Sequence, residues 1–202
     1  SMYGCVHGFI ARDPHRWRWL VVFLGFTAVT GAGAGYVLSR RDVVADAARL
    51  APSKRYWAVV GNGPNKVAAE EVRIKLSELC YKSMACDSTE DKKHIDLSSE
   101  PLILVCAAGL VGSTVDDVAK EVAIFKAHKA TPIVVASDGE TRYQAAATIE
   151  VPVVDPALGF VLSAMAGHLF GYEAALAIDA SARPLREARE AIRHDKLLTI
   201  DS

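Results

Sequence analysis

Two kinds of hydrophobic pattern divide the chain. Residues 19–38 (WLVVFLGFTAVTGAGAGYVL) carry no charge, with Arg12, Arg16 and Arg18 before them and Arg40 and Arg41 after. A run of about twenty apolar residues is the length that crosses a bilayer as a helix. Gly31, Gly33 and Gly35 offer a small face for close helix contact. Trp17, Trp19 and Tyr36 stand where interfacial aromatics would. Glycines weaken such a helix in water, so the segment is expected to span a membrane or to pack on a partner. Basic residues on both flanks leave its orientation open.

After Arg41 the pattern changes. Residues 42–50 (DVVADAARL) read as a short amphipathic helix stopped by Pro52. Apolar runs then alternate with helical ones. Residues 56–60 (YWAVV) read as a buried strand closed by the turn Gly61-Asn62-Gly63-Pro64. Residues 66–81 form a predicted helix with Val67, Ile74, Leu76 and Leu79 as its apolar positions. Residues 101–107 (PLILVCA), 131–137 (TPIVVAS) and 148–154 (TIEVPVV) are three further strands. Residues 113–129 are a helix whose Ser113 and Thr114 suit its N-cap, followed by acids that suit the positive end. An apolar helix over 159–178 and a charged one over 184–193 complete the order. In the former, His168, Met165, Leu169 and Leu176 are expected in the core.

Strands alternating with helices predict a parallel sheet covered on both faces, an α/β/α sandwich of flavodoxin-like type. The hydrophobic N-terminal helix precedes it, which gives an extension over 1–52 and a domain over 53–202. Ligands of such sheets bind beyond the carboxyl ends of the strands, near the switch in strand order. The turns to examine are therefore 61–65, 107–113 and 137–141.

Composition narrows the function classes. About half of the 202 residues are apolar and the formal net charge is −1, a globular balance without the basic excess that nucleic-acid binding needs. Cys5, Cys80, Cys86 and Cys106 form no C-x-x-C pair and no zinc-type cluster, and read as reduced thiols of a cytoplasmic domain. No metal or other cofactor is expected. Gly61-x-Gly63 lacks the third glycine of a dinucleotide fingerprint, and Pro64 removes one amide donor, so the turn alone does not identify a ligand.

From Tyr56 onward the chain resembles sugar isomerase (SIS) domains, in particular the second isomerase-side domain of the glucosamine-6-phosphate synthases, the isomerizing glutamine–fructose-6-phosphate aminotransferases. The residues that carry the resemblance are WAVVGNG (57–63), AEEVRIKLSELCY (69–81), Lys93-His94, and GYEAAL (171–176) leading to Arg183-Pro184. The resemblance implies roles for particular residues. Glu78 would move a proton between sugar carbons. His94 would open the sugar ring and serve the site of a second subunit, so a homodimer is implied. Lys93, Gly61, Asn62, Gly63 and Arg189 would contact the substrate, a sugar phosphate such as fructose 6-phosphate or glucosamine 6-phosphate. A first sugar isomerase domain and a glutaminase domain would lie upstream in a longer polypeptide.

Three departures bear on activity. Arg189 stands where the family has a Schiff-base lysine, and a guanidinium stays protonated. The turn Cys106-Ala107-Ala108-Gly109 has no hydroxyl for a phosphate, and the Lys93-His94 loop reads KKHID. The sequence thus admits two readings. One is an isomerase-side domain of an aminotransferase-like enzyme, incomplete alone. The other is a non-catalytic module for dimerisation or sugar-phosphate sensing, tethered to a membrane through 19–38.

Overall fold

The computed structural model of the chain describes residues 16–94 and 97–200. Two helices, α1 (Arg16–Ser39) and α2 (Arg41–Ala48), lead into the sheet. Then follow β1 (Trp57–Gly61), α3 (Pro64–Cys80), β2 (Ala85–Asp87), α4 (Thr89–His94), β3 (Leu102–Cys106), α5 (Ser113–Ala127), β4 (Thr131–Ser137) and β5 (Ala147–Val151). A short 3-10 turn, Pro156–Leu158, enters the last helix, α6 (Gly159–Ile200).

All five strands are parallel, in the order β2-β1-β3-β4-β5. The apolar runs become strands because both their faces are buried. Along β3, Leu102, Leu104 and Cys106 enter one core while Ile103 and Val105 enter the other. The first core lies under α2, α3, α6 and the end of α1; the second lies under α5. Phe170 of α6 and Phe125 of α5 are each fully buried, a contribution of about 2–3 kcal/mol per side chain.

Several elements depart from the sequence reading. β2 is a fifth strand where none is expected: three half-exposed residues, Ala-Cys-Asp, carry no hydrophobic signal. The core face of α3 is Ala68, Ala69, Val72, Leu76 and Cys80, whereas Val67, Ile74 and Leu79 face outward. Small residues face inward there because α6 lies close: a Cβ on Gly167 would stand 2.3 Å from Val72 Cγ2. The two C-terminal helices are one. α6 runs through Pro184, whose missing N–H only leaves a carbonyl open to water on an exposed stretch. His168 is half-exposed opposite Glu71 at 3.3 Å rather than a core residue, and Leu176 is exposed.

The segment from Val37 to Ala51 joins the same core. Val37, Val44, Ala47, Ala48 and Ala51 are buried in it. Arg41 Nε donates to the buried Glu173 at 2.6 Å, and Arg40 pairs with Glu150 of β5. The apolar stretch Pro156–Arg193 is long and apolar enough to cross a membrane, but 44% of its most apolar window is buried, as in a core helix.

Candidate functional site

In this strand order the switch point lies between β1 and β3. The two turns that follow these strands share a construction. α3 begins after Gly63 at φ 55°, ψ −133°, and α5 begins after Gly112 at φ 63°, ψ −144°. Both glycines hold a backbone conformation that side chains resist, and neither N-cap supplies a side-chain oxygen. Two helix starts with the same glycine entry and no side-chain cap thus flank one crevice. Ser113 and Thr114, expected as caps, are instead the first two residues of α5 and are exposed.

A buried polar network fixes the floor of the crevice. Asn65, on the first turn of α3, donates from Nδ2 to the carbonyl of Ala108 at 2.8 Å. Ser163 of α6 donates to Asn65 Oδ1 at 2.7 Å and accepts from the Ala108 amide at 3.3 Å. Ser137, at the end of β4, accepts from the Gly109 amide at 2.9 Å. The hydroxyl-free turn therefore has its amides satisfied by serines brought in from other elements. Backbone packing closes it further, because a Cβ on Gly159 would come 2.6 Å from the Ala108 carbonyl oxygen. An anion at this edge has its room farther out, at Gly63 and at 112–114, where a Cβ on either glycine would meet nothing.

The neighbouring groups set the electrostatics. Asn62 does not reach outward: its Oδ1 accepts from the Thr89 amide at 3.1 Å and its Nδ2 donates to Thr89 Oγ1 at 2.6 Å, tying β1 to α4. Lys66 Nζ donates to the Cys86 carbonyl at 3.0 Å. Arg142, after β4, bonds Asp116 of α5 at 3.0 Å and Glu140 at 2.6 Å. That pairing holds the Glu140 carboxyl below its usual range and offsets one acid in the first turn of α5. Below the turn, burial pushes the Cys106 thiol up to about 12 and so keeps it neutral.

The other expected site residues lie apart. Glu78 sits near the far end of α3, roughly 20 Å along the helix from the Gly63 turn. It is 59% exposed and paired with Lys75 at 3.0 Å. His94 ends α4, which packs on α5 across the sheet from α3; it is 69% exposed and 3.6 Å from Glu90. Lys93 bonds Glu90 at 2.7 Å and Glu121 at 3.0 Å, and these partners raise its pKa. Arg189 is exposed on the free end of α6, about 45 Å along the helix from Gly159. Within one chain, then, Gly61, Asn62 and Gly63 form the turn beside the switch point, with Gly61 buried and the Asn62 side chain turned to Thr89, while Glu78, Lys93, His94 and Arg189 do not converge on it. Ile95, Asp96 and Cys5 lie outside the described residues. Among the described residues no cluster of three or more metal-ligand side chains occurs.

Asn65, Ser137 and Ser163 carry the network, yet nothing in the sequence reading singled them out. The available signal was Ser163 standing alone in an otherwise apolar stretch, with Gly159 and Gly167 on either side.

Comparison with solved structures identifies the fold as that of sugar isomerase domains. The C-terminal domain of glucosamine-fructose-6-phosphate aminotransferase from Francisella tularensis matches with a TM-score of 0.67 at 14% identity, over 77% of this chain and 45% of that one. A tagatose-6-phosphate ketose/aldose isomerase from Escherichia coli matches at 0.58 and 19% identity, over 73% and 42% of the two chains. The sugar isomerase domain of an RpiR transcription factor from Sphaerobacter thermophilus matches at 0.57 and 12%, over 83% and 97%. The chain spans less than half the length of the aminotransferase domain it resembles. No family model and no curated protein matches the sequence.

Proposed function

We propose that this chain is a sugar-phosphate-binding domain that does not complete an isomerisation alone. The phosphate would lie against the first turn of α5, where the exposed Ser113 and Thr114 would supply amides and hydroxyls. The sugar would lie toward Gly61–Gly63. One observation carries this reading: two helix starts with no side-chain cap, entered through matching glycines, flank the switch point of a sugar isomerase fold. Each helix end favours a bound anion by about 0.3–1 kcal/mol, and hydroxyl donors to a charged oxygen add about 1.5–3 kcal/mol each. Fructose 6-phosphate and glucosamine 6-phosphate are the ligands to try first. Calorimetry on the full chain, solubilised in mild detergent, tests the reading. Saturable binding should weaken about tenfold in Thr114→Ala and Ser113→Ala, and binding indifferent to both substitutions would overturn it.

A second reading has an observation of its own. Val67, Glu71, Ile74 and Glu78 share one outward face of α3, and Tyr81 beyond it is 94% exposed. Apolar side chains around a carboxylate on an open helix face suit cover by a second copy. In such a homodimer Glu78 would meet groups of another chain, His94 among them, and an upstream sugar isomerase domain with a glutaminase domain would complete an aminotransferase. Isomerisation of fructose 6-phosphate that is abolished by Glu78→Gln would favour this reading over the first.

A further inference from the structure

α1 is held at one end and bare at the other. A Cβ on Gly33 would stand 2.4 Å from Leu162 Cδ2, Val37 is buried, and Arg40 and Arg41 are both ion-paired to the domain. Gly33 lies beside Leu162 of α6, and Arg41 lies beside Glu173, so the two helices run in the same direction. α6 starts at Gly159, one turn before Leu162, at the carboxyl edge of the sheet. Residues 16–30 of α1 therefore reach about 20 Å beyond that edge.

Among the described side chains of this stretch, from Val21 to Thr30, none is charged. Val21, Phe23, Leu24 and Phe26 are all about half exposed, and their positions point all round the helix axis. Its two threonines donate to its own backbone: Thr27 to the Phe23 carbonyl at 2.8 Å and Thr30 to the Phe26 carbonyl at 2.9 Å. No hydroxyl among them is left needing water. A protein groove or a second helix covers one stripe of a helix, so a helix apolar on every side with self-satisfied hydroxyls fits hydrocarbon instead.

The edge from which α1 emerges is apolar at two of its turns, while the turn after β4 carries Asp138, Glu140 and Arg142. The turn 107–112 (AAGLVG) is uncharged, and Val111 is 61% exposed. In the segment leading from β5 to α6, Val153 is 72% exposed, and the one charge, Asp155, accepts from the Ala157 amide. The uncharged part of the free stretch, residues 19–30, is about 18 Å long and falls about 10 Å short of a hydrocarbon core of roughly 30 Å. Thinning of the bilayer around a short span, together with loops that sink toward the membrane, makes up that difference.

We propose that α1 inserts across a lipid bilayer and holds the carboxyl edge of the sheet against the membrane surface, with Val111 and Val153 in the headgroup layer. The crevice between α3 and α5 then opens at that surface. This orientation rests on α1 and the two loops and does not depend on what the crevice binds.

The test uses the full chain reconstituted in phosphatidylcholine–phosphatidylglycerol vesicles carrying a photoactivatable lipid. Expected are flotation with the vesicles through a high-salt wash and lipid adducts on peptides containing residues 21–26, 111 and 153. Peptides containing Leu185 and Ile192, on the opposite end of α6, should carry none. Replacing Phe23, Leu24 and Phe26 together by serine should abolish flotation while circular dichroism stays unchanged, since none of the three packs on the domain. Failure of the unaltered chain to float overturns the insertion. Flotation with adducts on 185–192 in place of 111 and 153 overturns the orientation. A lipid-free dimer that the triple substitution dissociates assigns α1 to a second copy and overturns both.

Discussion

Ser163→Ala removes one oxygen from the floor of the crevice. Ser163 is fully buried, and its hydroxyl serves two partners, Asn65 Oδ1 at 2.7 Å and the Ala108 amide at 3.3 Å. Asn65 is itself 2% exposed. The space vacated by one hydroxyl is too small for water, which needs about one probe sphere of room. The substitution therefore leaves an acceptor and a donor buried and unmet. Each costs about 1–3 kcal/mol, and the longer bond to Ala108 places its share at the low end. The expected loss is about 2–4 kcal/mol, or roughly 5–15 °C in Tm for a chain of this size. Urea unfolding of the detergent-solubilised chain, followed by circular dichroism, measures it. Asn65→Ala also loses the bond to the Ala108 carbonyl, so the two substitutions share one interaction. Their double variant should be less destabilised than the sum of the singles by about 1–2 kcal/mol. A loss under about 0.5 kcal/mol for Ser163→Ala, or strict additivity, would refute the network as drawn.

Other outcomes rest on the same geometry. Gly167→Ala should destabilise by about 1–3 kcal/mol despite the better helix propensity of alanine, because its Cβ would collide with Val72; adding Val72→Ala should recover part of the loss in the same urea assay. Gly112→Ala meets no neighbour, so its cost of about 1–2 kcal/mol is backbone strain alone, and it should also weaken sugar-phosphate binding. Burial raises the Cys80 thiol to about 11 and Cys106 to about 12, from an ordinary 9.0. A raised folded pKa means that the unfolded chain releases its protons first as pH rises. The stability that these two thiols contribute should thus be constant below about pH 8 and be lost between about pH 9 and 12, and Cys106→Ala should flatten part of that fall. Under native conditions Cys86, only half-buried, should react with a thiol reagent before Cys80 or Cys106.

The sheet was legible because continuous apolar runs such as LILVC and TPIVVAS fit burial on both faces and little else. β2 was not, because an edge strand of three half-exposed residues is defined by its backbone pairing with β1. The inward face of α3 escaped for a related reason. Sequence periodicity ranks Val67 and Ile74 above Ala68 and Ala69, but the approach of Gly167 and Gly171 in α6 leaves room only for small side chains over part of that face. A capping role for Ser113 was the natural reading of STVDD; the strained Gly112 takes the N-cap position and frees the hydroxyl. At the site, Gly61–Gly63 stood out as punctuation, whereas Asn65 looked like an ordinary polar residue of a helix start. Its function lies in partners 43 and 98 residues away, which no local pattern encodes.

The most direct measurement maps where a sugar phosphate contacts this domain. Backbone amide shifts of the isotope-labelled full chain, in detergent micelles, would be followed while glucosamine 6-phosphate is added. The expected result is saturable movement concentrated at Gly61, Gly63, Asn65 and residues 111–115, with the amides around Glu78 and Arg189 unmoved. Movement centred on Glu78, with the start of α5 silent, would contradict the proposed site and place the ligand on the outer face of α3.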